Sequence, residues 1–311
     1  MCTGNPVDCC ANGEVTLSNK RQRPEPEHAK ENGSLKMFRK GQYMLPGRKG
    51  EDRIVAGMEV LRIGENVIQL FAVIDGHGGE SVAVFLKHRL PFVIATLCKE
   101  RAELLDANFC NAEAWSALLR DAFQVCNDTW DKTAITPAEV RSGAVLTMVL
   151  VGASSCLLAH VGDGKAVALR GAEYIDLTPL HRCDVENERK RVEENGGCVF
   201  NNRVRGILSP TRAFGDIFVR TDKLGHINDK IISPTPAISR INCMDDGCIV
   251  LGTDGLFDVF SGDGIVKATR SFLLHIPDET SAAVYLSEQA AKITDDDISV
   301  IVISWKSSLG V

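Results

Sequence analysis

Four times along this chain an apolar run of strand length meets an acidic residue at its end. Residues 67–74, Val-Ile-Gln-Leu-Phe-Ala-Val-Ile, run directly into Asp75-Gly76-His77-Gly78-Gly79. Residues 249–253 run into Asp254-Gly255, Asp295-Asp296-Asp297 precede the run 298–303, and Glu51-Asp52 precede the short run 53–56. Several of these runs, with 145–151, 156–161 and 166–169, are apolar on both faces, the pattern of strands covered on both sides. A carboxylate at the end of a buried strand is destabilising unless positive charge sits beside it. A lone Asp-Gly is commonly a turn, but four acidic sites sharing one pattern point to a common positive partner, and the simplest is a metal ion.

Helical segments interleave with the strands. Apolar residues recur at helical spacing over 80–90 and again from 92 to about 105, and Pro91 between them is expected to kink or break the pair. Residues 113–132 carry a clear apolar stripe. Residues 184–195 form a charged helix closed by Gly196-Gly197, and two further helices are expected over 264–275 and 280–292. No internal repeat and no strict strand–helix–strand alternation is visible. The pattern predicts an α+β fold of stacked sheets with helices outside, in one domain covering 37–311. Residues 1–36 lack apolar periodicity and are read as a flexible N-terminal tail. The segment 217–240 is expected to be a flap that bears on substrate choice.

Composition narrows the function. With 44% hydrophobic and 24% charged residues over 311 positions, collagenous, low-complexity and wholly disordered classes are excluded. The net charge of −6, from 35 basic and 41 acidic residues, argues against nucleic acid or an anionic membrane as partner. The apolar runs are strand-sized, so no transmembrane segment is expected. The polar N-terminus suggests no secretory signal, and Cys2 stands where myristoylation needs glycine. Eleven cysteines, an odd number without CxxC pairs, indicate a reducing compartment, cytoplasm or nucleus. Cys98, Cys126, Cys156, Cys198 and Cys248 lie among apolar residues and read as small buried hydrophobes. Nothing in the sequence sets the oligomeric state; a monomer is the expectation.

The acidic residues have no Cys/His cluster beside them, and oxygen-only ligation selects Mg²⁺ or Mn²⁺ rather than zinc. Glycine after Asp75 and Asp254 allows a carbonyl or a water to approach closely. Two such ions about 4 Å apart can hold a hydroxide in line with a phosphorus and neutralise the phosphoryl oxygens. His77 is then placed to protonate a leaving alkoxide. Two rival motifs fail on physical grounds. Cys183-x₅-Arg189 has the spacing of a cysteine-dependent phosphatase, but Asp184, Glu186 and Glu188 oppose both phosphate binding and thiolate formation. Asp295-x-Asp297-x-Ser299 precedes a strand at the far end of the domain, where an aspartyl nucleophile would follow one near its start.

At these residues the sequence resembles the metal-dependent protein serine/threonine phosphatases, protein phosphatase 2C-like. The matching stretches stand in family order: Glu51-Asp52; Phe71 to Gly79; Ser142-Gly143; Val161-Gly162-Asp163; Leu177-Thr178 with His181, Glu188, Arg191 and Gly196-Gly197; Arg212-Ala-Phe-Gly-Asp216; Asp254-Gly255-Leu-Phe-Asp258; and Asp296. The resemblance implies a four-layer αββα sandwich, two packed and mainly antiparallel sheets flanked by helices. It implies hydrolysis of phosphoserine or phosphothreonine in a phosphoprotein by a metal-bridging water. By position, Asp75 would bridge two ions and Gly76 would offer its carbonyl to one. Asp254 and Asp296 would complete the other, Glu51 and Asp52 would hold metal-bound waters, and His77 would be the general acid. Gly162-Asp163, Arg212, Asp216 and Asp258 match scaffold positions, with Arg212 bracing the site. Four places depart from the pattern. Leu180 replaces the Asp that helps hold a third, weaker ion, and Asp297 replaces Asn. Gly164-Lys165 replaces Ser-Arg. The phosphate-clamping Arg is offset, with Gly47 in its place and Arg48 one residue nearer. Two functions follow: a phosphatase, of reduced activity where the third ion matters, or a catalytically silent regulatory binding protein on the same fold.

Overall fold

The computed structural model describes residues 38–306 except 223 and 244. The N-terminal tail expected over 1–36 lies outside the described residues. In chain order the elements begin with β1 (Arg39–Leu45), β2 (Arg53–Ile63), β3 (Asn66–His77), α1 (Ser81–Glu100), α2 (Ala112–Thr133) and α3 (Pro137–Arg141). Then come β4 (Gly143–Val151), β5 (Ser155–Val161), β6 (Lys165–Arg170), β7 (Glu173–Asp176), α4 (Glu186–Glu194), β8 (Val199–Phe200), β9 (Arg203–Val204), β10 (Phe214–Gly215) and α5 (Ile217–Arg220). The last are β11 (Ala237–Asn242), β12 (Gly247–Gly252), α6 (Asp254–Phe257), α7 (Gly262–His275), α8 (Glu279–Ala290) and β13 (Ile298–Trp305).

Two antiparallel sheets form the middle of the molecule. One has the order β11-β5-β4-β3-β2, with β10 also pairing with β4; the other has the order β1-β13-β12-β6-β7. Runs that are apolar on both faces occupy the middle of each sheet because both faces are covered. Phe71, Val73, Val149 and Leu158 of the first sheet meet Ala168, Ile249, Leu251, Ile301 and Ile303 of the second. The outer face of the first sheet, through Leu70, Ala72 and Met148, packs against Leu86, Leu90, Ile94, Leu119 and Phe123 of α1 and α2. Val250, Val300 and Val302 pack outward on Ile265, Val266 and Leu286 of α7 and α8. This is the expected four-layer αββα sandwich.

Several elements differ from the sequence expectation. Pro91 neither ends nor divides a helix, since α1 runs through it from Ser81 to Glu100. Proline costs a helix interior about 3 kcal/mol, and the buried residues Leu86, Leu90, Val93 and Ile94 on both sides of it offset that loss. The same helix is long and apolar enough to cross a membrane by length and composition, contrary to the strand-sized limit expected. Its residues Val82, Leu86, Leu90, Val93 and Ile94 lie in the core cluster over the first sheet, while Phe92 is exposed. Cys198 is exposed rather than buried, while Cys98, Cys126, Cys156 and Cys248 are buried as expected. The 217–240 segment, expected as a flap, is anchored at its two ends, while Leu224 between them is 81% exposed. Arg220, 1% exposed, pairs with Asp131 and Asp229, Ile231 and Ile232 are buried, and 237–240 belong to β11.

Candidate metal centre

Strand pairing brings the acids together. Asp75, Gly76 and His77 close β3 opposite Val145, Ala144 and Gly143 of β4. In the other sheet, Asp254 opens α6 just after β12, and Asp296 and Asp297 stand just before β13, the neighbour of β12. Asp75 and Asp254 are buried neighbours whose charges act on each other. Burial, then the charges of Asp254, Asp52 and Asp163, push the Asp75 carboxyl well above the usual range. Asp254 is pushed up to about 6 by burial and by Asp163 and Asp296. Asp52, 3% exposed, is pushed up to about 7 by burial, with Asp297 and Asp254 adding to it. Buried carboxyl groups crowded in this way favour a shared proton or a cation.

The loop at 47–52 is shaped by Asp297. Its carboxylate accepts backbone N–H bonds from Gly47, from Gly50 at 3.1 Å, from Glu51 at 2.6 Å and from Asp52 at 3.2 Å. Burial raises its pKa, but those N–H groups outweigh burial and hold it below the usual range. Glu51 Oε1 in turn accepts the Gly79 N–H at 2.7 Å, and the Thr253 hydroxyl donates to Asp52 Oδ2 at 3.1 Å. Gly76 is required here, because a Cβ would lie 2.7 Å from the Glu51 carbonyl oxygen. The donors are all oxygen, which suits a hard divalent cation. Among the described residues no three acidic, histidine or cysteine side chains enclose a point by themselves. The set fits an ion that completes its shell with a backbone carbonyl and water, as Mg²⁺ commonly does.

His77 Nε2 lies 3.0 and 2.9 Å from the two carboxylate oxygens of Asp216. Asp216 is 2% exposed and holds a left-handed φ of 53° after Gly215. Burial lowers the His77 pKa, but the charge and hydrogen bond of Asp216 overcome it and leave the imidazole raised. Asp216, read from sequence as scaffold, thus touches His77 directly. Asp163 is paired too: Arg182 Nε donates to its Oδ2 at 2.9 Å, and Arg182 Nη2 lies 3.6 Å from Asp258 Oδ1.

Other expected residues are placed elsewhere. Arg48, expected to clamp phosphate, is 82% exposed at its side chain and pairs with Asp295. Arg212 braces α4 through Glu188 instead of touching the acids. Lys165 pairs with Asp176 at 3.1 Å. Leu180 lines a cavity of about 390 Å³ with Lys165, Asp176 and Ile238. Cys183 is buried, which raises its pKa, and Arg189 is turned onto Glu193 at 3.2 Å, so the C-x₅-R spacing builds no phosphate cradle.

Known proteins resemble this chain in sequence and in fold. A protein phosphatase 2C of Arabidopsis thaliana, "Probable protein phosphatase 2C 13", is 30% identical over 240 residues, covering 76% of this chain and 61% of its own length. "Protein phosphatase 2C 50" of Oryza sativa is 29% identical over 272 residues, covering 81% of this chain and 67% of its own. This chain therefore spans roughly two-thirds or less of these relatives. Among solved structures, a C. elegans sex-determining protein superposes with a TM-score of 0.71 at 23% identity, over 86% of this chain and 64% of its own. A Toxoplasma gondii phosphatase gives 0.67 at 17% identity, over 87% and 96%. Those two likenesses are of fold. Residues 49–297, which hold Asp52, Asp75, His77, Asp254 and Asp296, match the family model for protein phosphatase 2C, and the chain is a member of that family.

Proposed function

We propose that this protein hydrolyses phosphoserine and phosphothreonine in phosphoproteins with Mg²⁺ or Mn²⁺ as cofactor. The observation that carries the reading is the convergence of Asp52, Asp75, Asp254 and Asp296 at one end of the two sheets, where burial and neighbouring acids push Asp52, Asp75 and Asp254 toward their neutral forms. Asp75, Asp254, Asp296 and the Gly76 carbonyl would hold the ions, with Glu51 and Asp52 reaching them through water. When bound, such ions neutralise phosphoryl oxygens and lower the pKa of water toward neutrality. Asp216 keeps a proton on His77, which would be delivered to the departing serine or threonine oxygen. Asp297 fixes the backbone that carries Glu51 and Asp52. The buried thiols suit a reducing compartment such as cytoplasm or nucleus.

A second reading, a catalytically silent binding protein, is favoured by one observation: Arg48 is engaged by Asp295 rather than by the acids. A single assay separates the two. Phosphate release from a phosphopeptide should require Mn²⁺ or Mg²⁺, stop with chelator and survive thiol alkylation. Turnover that survives chelation but not alkylation would overturn the metal reading, and absence of turnover with ions bound would select the silent protein.

A further inference from the structure

The chain places a cation of its own, Arg182, among the acids. Arg182 is three-quarters buried at its side chain and donates from Nε to Asp163 at 2.9 Å, while its Nη2 faces Asp258 at 3.6 Å. Asp258 follows α6, one turn beyond Asp254, and its N–H donates to the Asp254 carbonyl at 2.8 Å. The Arg182 guanidinium is held more strongly charged by Asp163, Asp258 and Asp254, against the effect of burial. Nearby cations are occupied elsewhere, Lys165 by Asp176 and Arg212 by Glu188. The position of Arg182 is also set by backbone, since its main chain bridges to Pro210 and its neighbour His181 accepts the Gly162 N–H at 3.1 Å.

A fixed guanidinium between two carboxylates repels a divalent cation that approaches the same pair. We propose that Arg182 is a built-in counter-charge that limits how many divalent ions the acidic cluster accepts, by occupying the edge formed by Asp163 and Asp258. The inference rests on the metal-dependent reading above and concerns the number of ions, not their presence.

The test is a count of bound Mn²⁺ on the full chain, by calorimetric titration with MnCl₂ and by electron paramagnetic resonance of the free ion. Arg182→Met should bind one more Mn²⁺ per chain than wild type, and Arg182→Lys, which keeps the charge, should bind the wild-type number. Adding Asp258→Asn to Arg182→Met should remove the additional ion. Arg182→Gln, which keeps a hydrogen-bond donor toward Asp163, carries the same expectation as Met and serves if the Met variant does not fold. Equal, non-zero counts in wild type and in a folded Met or Gln variant overturn the inference. A wild type that binds no Mn²⁺ overturns the underlying metal reading instead.

Discussion

His77 and Asp216 meet across Gly143, and a Cβ on that glycine would lie 2.3 Å from both His77 Nε2 and Asp216 Oδ2. The pair therefore depends on a missing side chain as much as on its own chemistry. If Asp216 holds the imidazole protonated for a leaving group, Asp216→Asn should lower kcat about 10²-fold on a phosphopeptide. An aryl phosphate, whose leaving group needs little protonation, should be much less affected. Equal losses on the two substrates would reduce Asp216 to a structural role. Nothing in the sequence indicates this pair, because the partners are 139 residues apart and meet only when β4 accepts β3 on one side and β10 on the other. Asp75 and Asp254, in contrast, were legible because each directly follows an apolar strand. Cys198 was misread because apolar neighbours in sequence do not decide which way a side chain turns.

At the scale of elements, the boundaries of α2, α7 and α8 follow from periodicity and caps, with Asn111, Ser261 and Asp278 each accepting a backbone N–H of the first turn. β1, β7 and β11 gave little signal because they lie at sheet edges with mixed exposure, where alternation weakens. The segment after β10 is held in two ways, by Ile217, Val219, Ile231 and Ile232 in the core and by the ion pairs of Arg220 with Asp131 and Asp229. Ion pairs also anchor α4. Burial would raise the pKa of Glu188, but Arg212, Arg191 and the Thr211 hydroxyl together lower it to about 2. A carboxylate lowered on folding stabilises above its unfolded pKa and loses that contribution as pH falls through the folded value. The shift from 4.5 to about 2 corresponds to roughly 3 kcal/mol. Glu188→Gln should therefore cost a few kcal/mol in urea unfolding at pH 7, with the deficit shrinking as the pH falls from 4.5 toward 2. A deficit independent of pH would show that the contribution is packing rather than charge.

For the whole molecule, the acidic end of the sandwich opposes the cores. Asp52, Asp75 and Asp254 are raised on folding, so the metal-free chain binds more protons than the unfolded chain between about pH 4 and 7. Stability without metal should accordingly decline as pH rises across that range. Divalent ions displace those protons and bind better as they leave. The rise in Tm caused by Mn²⁺ should thus be larger at pH 8 than at pH 5.5, as scanning calorimetry can measure. An equal or larger rise at pH 5.5 would mean that these carboxylates are not the ligands.

The strand order of the second sheet bears on how the chain reaches this state. β2, β3, β4 and β5 are neighbours in sequence as well as in space, so their sheet can grow hairpin by hairpin. β13 instead lies between β1 and β12, with Arg39 opposite Ser304, and pairs the extremes of the described chain. Closing so long a loop is entropically costly and slow compared with local pairing. During synthesis the Asp75 half of the centre can form while the half that holds Asp296 and Asp297 has yet to emerge. The loop at 47–52 then waits for Asp297, and the carboxylates come together as β13 docks, the same step that brings Ile301 and Ile303 into the core between the sheets.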